Sequence, residues 1–188
     1  MQVAHELDVL SRMADEVGDY VLAEPLFWQM QARSDFPKLT LGLMLLTRTK
    51  VRAVAAGLDA GQQANLAKAE RQIDTALARW PVAAEKKGGR ELHARLGLWR
   101  QFWDDCMEQP KTCGDNYPLA ATHRAIAGQL LAAFARLADT DAARALAAQD
   151  AAILRRLVNS DFIWPPELKP LFPPDRDWYL YRRPAGVQ

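Results

Sequence analysis

Three histidines, two cysteines and three serines are where nucleophilic, acid–base or metal chemistry would be sought in this chain. His123 is the most informative of them. It falls inside an apolar helical stripe and stands close in sequence to Asp115 and Asn116. A buried neutral imidazole requires a hydrogen-bond partner, and a carboxylate partner would raise its pKa. That would suit a general base or a metal ligand. The plainer reading, a core or boundary histidine satisfied by a neighbour, is favoured. His123 and Asp115 are therefore alternative-site candidates, and no catalytic residue is assigned.

Metal chemistry finds little support. Helical bundles often hold metals between Glu and Glu-x-x-His pairs. No Glu of this chain has His three positions later, and His-Glu-x-x-His is absent. His5, His93 and His123 fall on separate expected helices, so no metal site and no cofactor is assigned. Cys106 and Cys113 match neither a zinc knuckle nor Cys-x-x-Cys. Cys106 sits in a core stripe, where a free thiol behaves as a small hydrophobe. Free structural thiols are expected, with a bridge across the intervening loop the sterically conceivable alternative. Ser11, Ser34 and Ser160 lie in no Gly-x-Ser-x-Gly elbow. The Gly88-Gly89 pair follows no strand and fits no phosphate loop.

The elements that would position these residues read as helices. Ala and Leu supply 57 of 188 residues, and apolar residues recur at three- and four-residue spacing. A first helix is expected from Val3 to Glu24, on the stripe Val3, Leu7, Leu10, Ala14, Val17 and Val21. A short piece, Pro25 to Ala32, should follow, then a break at Ser34, Asp35 and Pro37. Lys38 to Leu58 is apolar nearly all round in its first half and reads as buried. Gln62 to Trp80 forms the third long helix, with Leu66, Ile73, Leu77 and Trp80 on one face. Lys86 to Gly89 reads as a flexible junction or frayed helix start. The fourth carries Leu92, Leu96, Trp99, Trp103 and Cys106 and should stop near Glu108. The fifth starts at Asp115 or Asn116 with Pro118 in its first turn. Its face is Leu119, His123, Ile126, Leu130, Phe134 and Leu137. An Ala-rich sixth runs from Thr140 or Asp141 to Val158, on Ala142, Leu146, Ile153 and Leu157. Leu96, Trp99, Trp103, Ile126, Leu130 and Phe134 are expected in one core.

The remainder differs in kind. Residues 159–188 hold six of eleven prolines and six aromatics, too many rings for a typical disordered tail. This segment is expected to be ordered, extended and docked on the helices by Trp164, Trp178 and Tyr181. A Pro170-x-x-Pro173 ligand for another protein is the lesser reading. Should the rings face outward, Trp164, Trp178, Tyr179 and Tyr181 are the partner-binding candidates. The expected architecture is thus all-α: a bundle of five or six mostly antiparallel helices over residues 1–158, with a Pro/aromatic-rich C-terminal strap over 159–188.

Charge limits the partners. Net charge is +1, so no global field attracts nucleic acid or an anionic membrane. Residues 1–40 carry seven acids and three bases; residues 41–100 carry five acids and eleven bases. A basic surface at Arg48, Lys50, Arg52, Lys86, Lys87 and Arg90 is one alternative, a weak nucleic-acid module. A helical-bundle enzyme or metal protein using His123 is the other. The leading expectation is a non-catalytic cytoplasmic protein with a binding, scaffold or adaptor role. Its partner would be another protein or a second copy of itself, with no membrane involved.

Overall fold

The computed structural model describes residues 2–31 and 35–185, with the backbone alone at 110–112. Ala32, Ser34 and the last three residues of the expected strap lie outside the described residues. The fold is all-α, with one two-stranded antiparallel pair among the described residues. The chain divides into two compact units, Met1–Glu91 and Leu92–Gln188.

In the first unit, α1 (Val3–Leu22) buries the expected stripe through Leu7, Leu10, Ala14, Val17 and Val21. Met13 and Tyr20 are also buried. No second helix follows at Pro25. Trp28 and Leu39 instead exchange both backbone hydrogen bonds, at 3.0 and 2.9 Å. Side chains of α1 hold this excursion, which one isolated helical turn could not match. Glu16 accepts from the Trp28 indole at 2.7 Å and from the Gln31 amide at 2.9 Å. Tyr20 donates to the Leu26 carbonyl at 3.0 Å.

Helix α2 (Leu41–Ala53) is shorter than expected at both ends, because Leu39 is spent in the bridge and Thr40 caps. Leu41, Met44, Leu45, Leu46 and Val51 are buried, as the all-round apolar pattern requires. Helix α3 (Ala60–Arg79) starts in a reciprocal capping box between Asp59 and Gln62. Its inward face is Leu66, Ala69, Ile73 and Ala76. The expected face is corrected at its end: Trp80 is exposed and Leu77 half-buried.

Helix α4 (Pro81–Glu108) runs unbroken through Lys86–Gly89. The expected junction is not there, and Lys87 supplies the reason. Its side chain is buried, and its ammonium donates to the carbonyls of Tyr20, Ala23 and Pro25, the last two at 2.6 and 3.1 Å. Ala23 and Pro25 lie just past the last turn of α1, where carbonyls have no place in the helical ladder, and a cation there also meets the negative end of the helix dipole. Burial lowers the Lys87 pKa, and Arg90 adds to the effect. Nearby, the fully buried Glu91 accepts from the Thr40 hydroxyl at 2.6 Å and the Gly42 amide at 2.8 Å. This is a carboxylate placed at the N-terminus of α2.

The second unit holds the rest of α4, α5 (Pro110–Ala133) and α6 (Asp141–Ile153). Helix α5 starts earlier than expected, with Pro110 in its first turn and Pro118 in its interior. Cys106 and Cys113 form a disulfide across the α4–α5 break, which overturns the expectation of free thiols. Of the expected core, Trp99, Trp103, Ile126 and Leu130 are buried, while Leu96 and Phe134 are half-buried. Thr140 caps α6, its hydroxyl accepting from the Ala143 amide at 3.3 Å. That helix ends at Ile153, short of Val158. The chain turns there into β1 (Leu157–Asn159), which pairs antiparallel with β2 (Arg182–Pro184).

The C-terminal segment is ordered but not simply extended. It contains 3-10 turns at Pro166–Leu171 and Trp178–Tyr181 between the two strands. Its fully buried anchors are Phe172, Tyr179, Leu180 and Leu168. Burial of Phe172 and the turn at Pro170 leave no free Pro-x-x-Pro ligand.

Candidate binding cleft

Two helix faces of the second unit share one spacing. Leu98, Gln101, Phe102 and Asp105 of α4 recur at i, i+3, i+4 and i+7; Asn116, Leu119, Ala120 and His123 of α5 do the same. Such positions lie on one side of a helix. Together with Cys106 and Cys113 they line a cleft of 260 Å³. Leu98 and Leu119 are exposed at its edge, Leu119 by 63%. The stripe reading placed Leu119 and His123 with the core; they belong to the cleft. Ile126 and Leu130 of the expected stripe do lie in the core, joined there by Cys113, Tyr117, Ala121 and Ala125.

His123 is the chemically distinctive wall residue. Its Nδ1 lies 3.1 Å from an Arg95 guanidinium nitrogen. A guanidinium only donates, so Nδ1 accepts and the neutral ring carries its hydrogen on Nε2. Burial first, and then the positive charge of Arg95, push the imidazole from 6.5 down to about 4. The ring is therefore neutral at pH 7, a hydrogen-bonding group and a weak base. Asp115 does not serve it: that side chain is exposed and points to no pairing with His123 among the described contacts. The carboxylate-assisted base considered from the sequence is replaced by an arginine-held neutral histidine.

The other candidates are placed as follows. Tyr179 is buried; its hydroxyl donates to Asp177 Oδ1 at 2.9 Å and its carbonyl accepts from Tyr117 at 2.7 Å. Tyr181 donates to the Phe172 carbonyl at 2.7 Å. Trp164 meets the Phe172 ring edge-on at 5.2 Å, and Trp178 meets Tyr179 at 5.7 Å. All four rings thus contact the tail itself. His93 is exposed, and His5 packs edge-on to Phe36. No group of three or more His, Cys, Asp or Glu among the described residues is placed to hold a metal ion.

The basic alternative loses most of its free charge. Arg48 pairs with Asp74 at 2.7 Å, Arg52 with Glu70, and Arg90 with Glu24 at 3.4 Å. Lys87 is interior, and burial lowers the Lys50 pKa against an opposing pull from Glu6. Lys86 alone of the six stays plainly exposed without a described partner.

Sequence reading missed the polar network beside the cleft. Asp150 accepts from the Trp99 indole at 3.1 Å and from Arg124 at 2.8 Å. The Arg124 guanidinium also sits 4.9 Å from the centre of the Tyr179 ring. Burial raises the Asp150 pKa above 3.8 against the pull of Arg124. These residues tie α4, α5, α6 and the tail together, and no local spacing announces them. No protein-family model, curated protein or solved structure matches this chain.

Proposed function

We propose that the chain is a non-catalytic binding protein, and that the α4–α5 cleft receives an apolar side chain of a protein partner. The observation that carries this reading is the cleft's make-up. An apolar lining with exposed Leu98 and Leu119 at its edge surrounds a neutral imidazole. Exposed apolar surface around a concave site is the usual mark of a recognition site. Asp105 in the wall, with Glu108 one turn further along the helix, favours a partner whose apolar anchor is flanked by Lys or Arg.

Catalysis is the weaker reading. The cleft cysteines are joined to each other, so neither offers a thiolate. A histidine with a pKa of about 4 is poorly matched to general-base work at neutral pH. The bridge also bears on location. Disulfides persist in oxidising compartments, which weighs against the cytoplasm expected from the sequence. No helix among the described residues is long and apolar enough to cross a membrane.

A short amphipathic helical peptide, with Leu and Phe on one face and Lys on the other, provides the test. Titrated into labelled protein, it should shift the amide resonances of Gln101, Asn116, Leu119 and His123. Leu119→Asp should remove those shifts while leaving the fold intact, because the side chain is exposed. Shifts elsewhere only, or identical binding by the variant, would refute the cleft as the recognition site.

A further inference from the structure

A second concavity of the same unit has different chemistry. It lies between α4 and α6, with a volume of 270 Å³. Leu96, Ala145, Ala152 and Ile153 supply an apolar lining. The polar members are Arg100, Asp104, Gln149, Arg156 and the indole of Trp103.

Two observations separate this groove from an ordinary surface furrow. Trp103 is 4% exposed, and its Nε1 is buried with no hydrogen-bond partner among the described residues. Buried donors are nearly always paired, so an unpaired one on a residue that lines the groove marks a missing acceptor nearby. Trp99, in the same aromatic cluster, has its indole satisfied by Asp150. The difference is therefore specific to Trp103. Second, Arg100 and Arg156 form no ion pair among the described residues, although Asp104 stands one turn from Arg100. In the first unit Arg48, Arg52 and Arg90 all carry acidic partners.

We propose that this groove binds a carboxylate monoanion carried on a short apolar body. Two guanidinium groups and one carboxylate leave a net single positive charge, which suits a monoanion better than a dianionic phosphate. Arginine matches the planar carboxylate through paired N–H donors. Gln149 adds a neutral donor, the alanine and isoleucine wall receives the hydrocarbon, and the unpaired Trp103 indole behind that wall becomes satisfied if the bound carboxylate draws it outward.

Hexanoate is the probe, titrated while the indole N–H resonance of Trp103 is followed. It should shift that resonance in a saturable way. Hexan-1-ol, which has the same chain without the charge, should not saturate. Inorganic phosphate should not compete with hexanoate. Arg156→Gln and Arg100→Gln, at exposed positions, should each weaken hexanoate binding about tenfold, as expected for losing one charge-assisted hydrogen bond. Trp103→Phe, checked for an intact fold by its melting curve, should weaken binding without changing the preference for hexanoate over hexan-1-ol. Equal binding of hexan-1-ol would make the groove merely apolar. Competition by phosphate would make it a general anion patch. Unchanged affinity in both arginine variants, or no Trp103 shift at saturating hexanoate, would overturn the assignment.

Discussion

Acidification should destabilise this protein through His123, and the size of the effect follows from its surroundings. The imidazole titrates near 6.5 when unfolded and is pushed down to about 4 in the fold by burial and Arg95. Between those values the unfolded chain binds the proton and the folded chain does not. Stability therefore falls as pH drops from about 6.5 and levels off below about 4. At 1.36 kcal/mol per pH unit, the full gap would correspond to about 3.4 kcal/mol. His123 is only half-buried, so solvent screening reduces the expected loss to about 1–2 kcal/mol. The comparison variant is His123→Gln, whose amide oxygen can still accept from Arg95 and which does not titrate. Denaturant unfolding of both proteins at a series of pH values between 7.5 and 4 gives the difference directly. Asp150, whose raised pKa acts in the opposite direction as pH falls, is common to both and cancels. Wild type should exceed or match the variant at pH 7.5 and lose ground steadily below 6.5. A difference independent of pH, or a His123 titration midpoint at or above 6.5 by NMR, would show that burial and Arg95 do not hold this ring neutral.

Two further outcomes test the packing. Lys87→Met keeps the aliphatic stem but strips the donors from three carbonyls; it should cost about 1–3 kcal/mol in chemical denaturation, and a neutral result would mean those carbonyls find other partners. Tyr179→Ala should cost about 3–5 kcal/mol, as for other large buried rings, whereas Tyr179→Phe, which removes only the bond to Asp177, should cost about 1 kcal/mol; equal losses for the two would show that the hydroxyl, not the ring, anchors the tail.

What the sequence made legible was periodic. The stripes of α1 and the central part of α4 were readable because each repeats one residue class at helical spacing over several turns. The ordered tail was readable from its ring density. Features that depend on a single distant partner were not readable. Lys86 to Gly89 has the composition of a loop, and only the carbonyls at the end of α1 make a helix with a buried lysine the better solution. Pro118 looked like a first-turn proline because that is its least costly place in a helix; the chain puts it in the interior of a helix that begins at Pro110.

The error at the candidate site is one of distance. Asp115 precedes His123 by eight residues, whether it caps α5 or lies inside it. Along a helix that is about 12 Å of axial rise, too far for the two side chains to pair. The imidazole is therefore a neutral group held by Arg95 rather than a carboxylate-assisted base. Asn116, Leu119, Ala120 and His123 share one face at helical spacing wherever the helix begins, and that face lines the cleft. An error of five or six residues in a helix start matters little for a buried stripe, which any neighbour can cover. It matters a great deal for a site, because hydrogen bonds and charges act between particular atoms. This asymmetry is why the fold class could be read from the sequence while the cleft could not.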